Sequence, residues 1–230
     1  MKRTTRRSRP QLVCVLADNS GSMAGPKAQA ATEGIQEMLL ECQATGPRGA
    51  DRSYFRLVLI RFGSKAELEP QCNMTPVRQI DAASITIRGD GGGTNITEAL
   101  DLAYRGLEQY MREVVEPHPE RTEHPLPLVL LFSDGHNGFG NPEPIAARIK
   151  QLNVDGDPIT IACAGVSTDD ADRPDEELLK RIASAECYLD IDDAQVLSAF
   201  LAEAGSSGVS SPAEVAEVIH QIKDRRGIED

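Results

Sequence analysis

Leu12-Val13-Cys14-Val15-Leu16-Ala17-Asp18-Asn19-Ser20-Gly21-Ser22 is the stretch on which the fold turns. Its first six residues form an unbroken apolar run. A strand wetted on one face alternates apolar and polar residues, whereas a run apolar throughout has both faces covered. Strands of that kind belong to parallel sheets flanked by helices. The run stops at Asp18, and short, polar, turn-forming residues follow. A second run, Leu128-Val129-Leu130-Leu131-Phe132, stops in the same way at Ser133-Asp134-Gly135.

Outward from the first run, Pro26 opens a helix in which Ala28, Ala31, Ile35, Met38, Leu39 and Cys42 recur at helical spacing, and Gly46-Pro47 ends it. Tyr54 to Phe62 reads as the next strand. Ala66 to Glu69 follows after Gly63-Ser64, and so tight a connection predicts an antiparallel strand at the sheet edge. Beyond a glycine-rich loop at Gly89 to Gly93, Asn95 and Glu98 read as a capping box. Ala99, Leu100, Ala103, Leu107, Met111 and Val114 then mark an amphipathic helix. A proline-rich surface loop at Pro117 to Pro127 leads into the second apolar run. Helices near Ile145 to Leu152, Glu176 to Ala185 and Ala194 to Ala204 alternate with strands near Ile159 to Ala164 and Cys187 to Leu189.

This order predicts an α/β fold with a doubly wound, mostly parallel sheet, one short antiparallel edge strand and helices on both faces. Residues 1–10 read as a basic disordered tail, 11–204 as the domain, and 205–211 as a Gly/Ser-rich linker. Residues 212–224 read as a C-terminal amphipathic helix, opened by Ser211, Pro212 and Glu214. Its stripe of Val215, Val218, Ile219 and Ile222 calls for burial, either on the chain's own domain, where docking benefits from a high effective concentration, or on a partner or second copy reached through the linker.

Open α/β sheets gather their ligand-binding loops at the carboxyl ends of the strands. Three loops here carry oxygen-bearing residues at such positions. They supply Asp18, Ser20 and Ser22, then Thr94 from Gly92-Gly93-Thr94-Asn95, and Asp134. Together they would converge on one divalent cation. An all-oxygen set with only two carboxylates suits a hard ion such as Mg²⁺, and it also accommodates Mn²⁺ or Ca²⁺. Taken singly, Asp18 reads as a helix cap and the serines as turn residues. That reading leaves Thr94 and Asp134 at matching loops without an explanation.

Other chemistries fit less well. Gly21 to Lys27 lacks the spacing of a phosphate-binding P-loop, and Met23 and Gln29 stand where a calcium-binding EF-hand needs Gly and Glu. No motif ties His118, His124, His136 or His220 to Ser20 or Ser22, so no Ser-His hydrolase is assigned. His136 reads as an exposed loop histidine. Metal-assisted phosphoryl hydrolysis would need convergent cations, and Arg88 is the nearest one. No catalytic residue is therefore assigned, and the chain does not read as an enzyme.

The 230 residues carry a net charge of −12, which argues against nucleic acid as a partner because phosphate contacts need a basic surface. Lys2, Arg3, Arg6, Arg7 and Arg9 crowd the start, yet no apolar signal region follows them. No segment is apolar and long enough to span a bilayer. Cys14, Cys42, Cys72, Cys163 and Cys187 are odd in number and widely spaced, which fits a reduced, cytoplasmic setting.

The D-x-S-x-S run of Asp18, Ser20 and Ser22, the later Gly93-Thr94 and the Ser133-Asp134-Gly135 turn together resemble the von Willebrand factor A domain, from Gln11 to about Glu203. The resemblance implies a metal-ion-dependent adhesion site. Ser20, Ser22 and Thr94 would supply hydroxyl ligands, and Asp18 and Asp134 would act mainly through waters. An open coordination position would be completed by a partner's Asp or Glu carboxylate. Neutral hydroxyls leave the ion electrophilic, so an external carboxylate is attracted to it. Asn19 stands where many members carry Thr or Ser, at a position that is not a ligand. The chain is most similar in kind to bacterial cytosolic members, resembling those of tellurite-resistance operons, which are linked to a kinase and a phosphatase. Other members act as adaptors for AAA+ ATPases of the magnesium-chelatase type.

Overall fold

A computed structural model describes residues 10–45, 54–117, 124–134, 136–167, 173–191, 194–206, 208 and 211–226. The basic tail at 1–9, the middle of the proline-rich loop, Gly135 and part of the Gly/Ser stretch lie outside the described residues.

The fully apolar runs become the central strands. β1 (Gln11–Asp18) pairs in parallel with β2 (Phe55–Phe62) on one side and β4 (Leu128–Ser133) on the other. β7 (Thr160–Val166) and β8 (Tyr188–Ile191) extend the parallel set. β3 (Ala66–Pro76) closes the opposite edge antiparallel to β2, giving the order β3-β2-β1-β4-β7-β8. The edge strand runs well past Glu69, and its pairing with β2 shifts register around Val58, with Met74 at a φ of 52°. The sheet is thus the mostly parallel α/β arrangement expected from the apolar runs.

Both faces of β1 are buried, as its composition demands. Val13, Val15 and Ala17 face a core closed by α1 (Pro26–Ala44), α5 (Ala194–Ser206) and α6 (Pro212–Arg226). Leu12, Cys14 and Leu16 face the other core, closed by α2 (Ile96–Tyr110), α3 (Glu143–Gln151) and α4 (Glu176–Ile182). A small hairpin of β5 (Asn153–Val154) and β6 (Asp157–Pro158), with Asp155 and Gly156 at positive φ in its turn, precedes β7. A π-helical turn at Met111–Val115 extends α2.

The C-terminal stripe packs in cis. Val215, Ile219 and Ile222 are buried in the same core as α1 and α5, and Val218 packs against it. Ser211 Oγ accepts from the Glu214 backbone N–H, while the Glu214 carboxylate accepts from the Ser211 N–H at 3.2 Å, a reciprocal cap. Val215→Ala should lower the unfolding free energy by about 1.5 kcal/mol, from lost apolar burial plus a small cavity. Urea denaturation measures this, and no change would mean that the helix contributes nothing to domain stability.

β1 lies between β2, reached through α1, and β4, reached after α2. The chain therefore turns to opposite sides from this strand, which makes its carboxyl end a topological switch point where ligands bind. Asp18 closes β1 there, beside Phe62 at the end of β2.

Candidate metal centre

Asp18 is fully buried at the end of β1, and its backbone still belongs to the strand. The chain then turns back, because Asp18 Oδ1 accepts from the Ser20 N–H at 2.8 Å. This local bond is what Asp offers a turn. A single 3₁₀ turn at Gly21–Met23 follows, anchored by the buried Met23 side chain. It sets the Ser20 and Ser22 hydroxyls 3.1 Å apart. Ser20 is buried, whereas Ser22 faces outward.

The second loop is fastened to the first through backbone atoms. The Gly21 N–H donates to Gly92 O and the Gly91 N–H to Asn19 O, each at 2.7 Å. Thr94 is buried at its end, just before the Asn95 side chain caps α2 by accepting from the Glu98 N–H. Glu98 returns the contact to the Asn95 side-chain amide and to the Ala66 N–H, so the reciprocal bond falls on the side chain and not on the Asn95 backbone. That backbone N–H donates to Gly63 O instead.

The third loop leaves β4 at Ser133 and Asp134, both fully buried. Ser133 Oγ donates to Asp18 Oδ2 at 2.5 Å, which ties the ends of β4 and β1 together. The Gly138 N–H reaches back to Thr94 O at 2.9 Å. The five residues read from sequence thus sit on three loops stitched to one another. His136 is exposed, and its Nε2 pairs with Arg173 O.

The electrostatics are unusual for a resting polar cluster. Burial pushes the Asp18 carboxyl up from 3.8 to about 6, partly opposed by its hydrogen bonds from Ser133 and Ser20 and reinforced by the nearby Asp134 charge. Asp134 is stranger still. Both of its carboxylate oxygens are buried and neither has a hydrogen-bond partner among the described residues, although its carbonyl accepts from the Asp175 N–H. Buried polar groups are nearly always paired, so an orphaned carboxylate beside a second acid needs an explanation. A divalent cation supplies one, and the surrounding donor set of hydroxyls and carboxylates is the chemistry a hard ion takes. Among the described residues, no cluster of three or more carboxylate, imidazole or thiol groups competes for such an ion.

Three supporting residues have roles in the site that the sequence reading did not assign. Asn19 Oδ1 accepts from the N–H groups of Arg88 and Gly89 at 2.8 and 2.9 Å, and its Nδ2 donates to Asp90 at 2.9 Å. The position is no ligand candidate, yet its side chain clasps the second loop. An amide that both donates and accepts is the only local sign of this role. Ser64 Oγ accepts from the Gly93 N–H at 2.8 Å. Asn137 Oδ1 accepts from the Ile96 N–H at 3.0 Å, covering an open amide at the start of α2.

Comparisons with known proteins bear on the fold and the family. No curated protein matches the chain by sequence at a significant level. Among solved structures, proximal thread matrix protein 1 from the mussel byssus, with a zinc-occupied MIDAS motif, superposes at a TM-score of 0.59 with 17% identity over 92% of this chain. The pilus adhesin SpaC from Lactobacillus rhamnosus GG gives 0.59 with 18% identity over 87% of the chain. The manganese-loaded TRAP protein of Plasmodium vivax gives 0.53 with 17% identity over 85% of this chain and 74% of its own. The chain spans 48% of the byssus protein and 30% of the adhesin. At these identities the likeness speaks to the fold. The model of the von Willebrand factor type A domain matches residues 13–202, most of the chain, and the protein belongs to that family.

Proposed function

We propose that the chain is a metal-dependent protein-interaction module. In this reading Asp18, Ser20, Ser22, Thr94 and Asp134 hold Mg²⁺, and the carboxylate of a partner's Asp or Glu completes its shell. The observation that carries it is the buried Asp134 carboxylate with neither oxygen partnered among the described residues. A bound ion would supply an electrophilic position facing solvent, and the chain's own residues would do the rest. Asp18 and Asp134 contribute charge, the serine and threonine hydroxyls contribute neutral oxygens, and the backbone stitching holds the three loops in register. Zinc in the byssus protein and manganese in the Plasmodium protein support a divalent ion in this fold without choosing Mg²⁺.

The finer setting we propose is a cytoplasmic, bacterial one, of the stress-response kind associated with a kinase and a phosphatase. All five cysteines are free and buried, which supports a reducing compartment. Among the described residues no helix is long and apolar enough to cross a membrane. An adaptor for an AAA+ ATPase would use the same site, and identifying the captured partner separates the two. The chain is not proposed to be an enzyme or to bind nucleic acid. Phosphatase activity lost in Asp134→Ala would overturn the first of these statements.

The test is a thermal shift with Mg²⁺, repeated in Asp18→Ala, which should fold yet lose the response. The complex with the partner should fall apart in EDTA and in Thr94→Ala. Identical metal responses of wild type and Asp18→Ala would remove the site assignment.

A pH dependence follows as well. The Asp18 carboxyl is raised in the folded state, so it favours folding of the metal-free protein below about pH 4, and that contribution is lost as pH rises through about 6. Metal binding needs the carboxylate and has the opposite sign. Mg²⁺ affinity should be flat above about pH 7 and fall roughly tenfold per unit below about 6. Calorimetric titration between pH 5 and 8 measures it, in steps of roughly half a unit. A flat profile would take Asp18 out of the ligand set.

A further inference from the structure

The chain has five phenylalanines. Phe55, Phe62, Phe132 and Phe200 are buried in the two cores. Phe139 is 44% exposed, and it stands beside the candidate metal centre. A Cβ placed on Gly93 would come within 3.2 Å of its ring carbon Cε2, so the ring lies over the Gly93 backbone. Gly93 directly precedes Thr94, and their Cα atoms are about 4 Å apart.

The loop that presents the ring is pinned by hydrogen bonds. Phe139 O accepts from Thr97 Oγ1 at 2.8 Å and from Asn137 Nδ2 at 2.9 Å. The Gly138 N–H is fixed to Thr94 O, and Asn137 Nδ2 also reaches Gly140 O at 3.1 Å. Gly140 then turns the chain at a φ of 64°. A large apolar side chain held out on so fixed a backbone gains little for the fold by being exposed. It loses little freedom when a partner covers it, which is what interface anchors do.

We propose that Phe139 is the apolar half of the partner-binding surface, and that the segment it receives carries an acidic residue with an apolar side chain one or two positions away. The proposal rests on the metal reading above. The spacing follows from proximity: the ring packs on Gly93, the residue before Thr94, and an extended peptide advances roughly 3.3 Å per residue. A carboxylate directed to the metal therefore brings its near neighbours over the ring.

The experiment uses the full chain, immobilised in Mg²⁺, and a phage-displayed library of random peptides. Wild type should enrich an Asp or Glu with Leu, Ile, Val, Met or an aromatic residue within two positions. Phe139→Ser should keep the acidic residue and lose the apolar neighbour, while its thermal response to Mg²⁺ stays that of wild type. A synthetic peptide of the selected sequence should bind Phe139→Ser roughly tenfold more weakly. Phe139→Leu should restore both the neighbour preference and the affinity. Acidic peptides without a neighbour preference, or the same peptides selected by wild type and Phe139→Ser, would overturn the role of Phe139 and leave the metal reading standing. Peptides without any acidic residue, bound equally in EDTA, would overturn both.

Discussion

Asp134→Ala is expected to make the metal-free protein more stable than wild type and to abolish its response to Mg²⁺. Both carboxylate oxygens of Asp134 are buried without a hydrogen-bond partner among the described residues. An unsatisfied buried polar group costs roughly 1–3 kcal/mol, and alanine removes that cost while leaving only a small void. At about 2–4 °C per kcal/mol for a domain of this size, the melting temperature in EDTA should rise by several degrees. With Mg²⁺ at about a hundred times its dissociation constant, wild type should gain about 2.7 kcal/mol that the variant cannot. The two melting curves therefore exchange order between EDTA and saturating Mg²⁺. A purely structural Asp134 predicts the reverse in EDTA, with the variant less stable. That result would mean that the orphaned carboxylate has a structural partner, and the metal assignment would lose its main support.

Gly63→Ala is expected to be severe for both fold and site. Gly63 follows β2, and a Cβ there would sit 2.3 Å from Gly91 O and 2.6 Å from Gly91 C. These are backbone atoms, so no side-chain rotation relieves the clash. The neighbouring Ser64 N–H donates to Gly91 O, and the Asn95 N–H donates to Gly63 O. Forcing the two loops apart strains those bonds and moves Thr94 with them. The steric cost alone is about 1–3 kcal/mol, and the strained bonds should bring the loss to roughly 3–4 kcal/mol. Mg²⁺ affinity should fall about 10–100-fold, as for other changes that misplace metal ligands from outside the ligand set. Chemical denaturation and metal titration of the same sample measure both. Intact metal affinity in a destabilised Gly63→Ala would show that the loops reach the ion independently of this seam.

The sheet was readable because its central strands had no alternative use. Val13 to Ala17 and Leu128 to Phe132 are apolar at every position, and only a strand covered on both faces consumes such a run. The placement of Asp18, Thr94 and Asp134 at the ends of adjacent elements followed from the same rule. What escaped was long-range or two-sided. Asn19 looked incidental because its partners, Arg88, Gly89 and Asp90, lie some seventy positions away. Ser64 and Asn137 act on backbone N–H groups of other loops, which leaves no local pattern. The full length of β3 was hidden by its mixed exposure and register shifts, so the alternation that marks an edge strand is broken. The β5–β6 hairpin was a different kind of omission. Asp155-Gly156 is a strong two-residue turn signal and stood in plain view.

The cradle beneath Asp18 and Thr94 is closed largely by main-chain atoms: Gly21 to Gly92, Gly91 to Asn19, Ser64 to Gly91, Asn95 to Gly63 and Gly138 to Thr94. Within this frame Gly63 and Gly91 leave no room for a Cβ, but its main-chain bonds do not depend on the chemistry of the exposed side chains around it. Lys65, Arg88 and Phe139 stand exposed around this frame. On the proposed reading, changes at those exposed positions alter who is recognised while the grip on the ion stays as it was. Ion affinity and client choice would then be separately heritable traits, and a duplicated copy of such a domain could acquire a new client by surface drift alone.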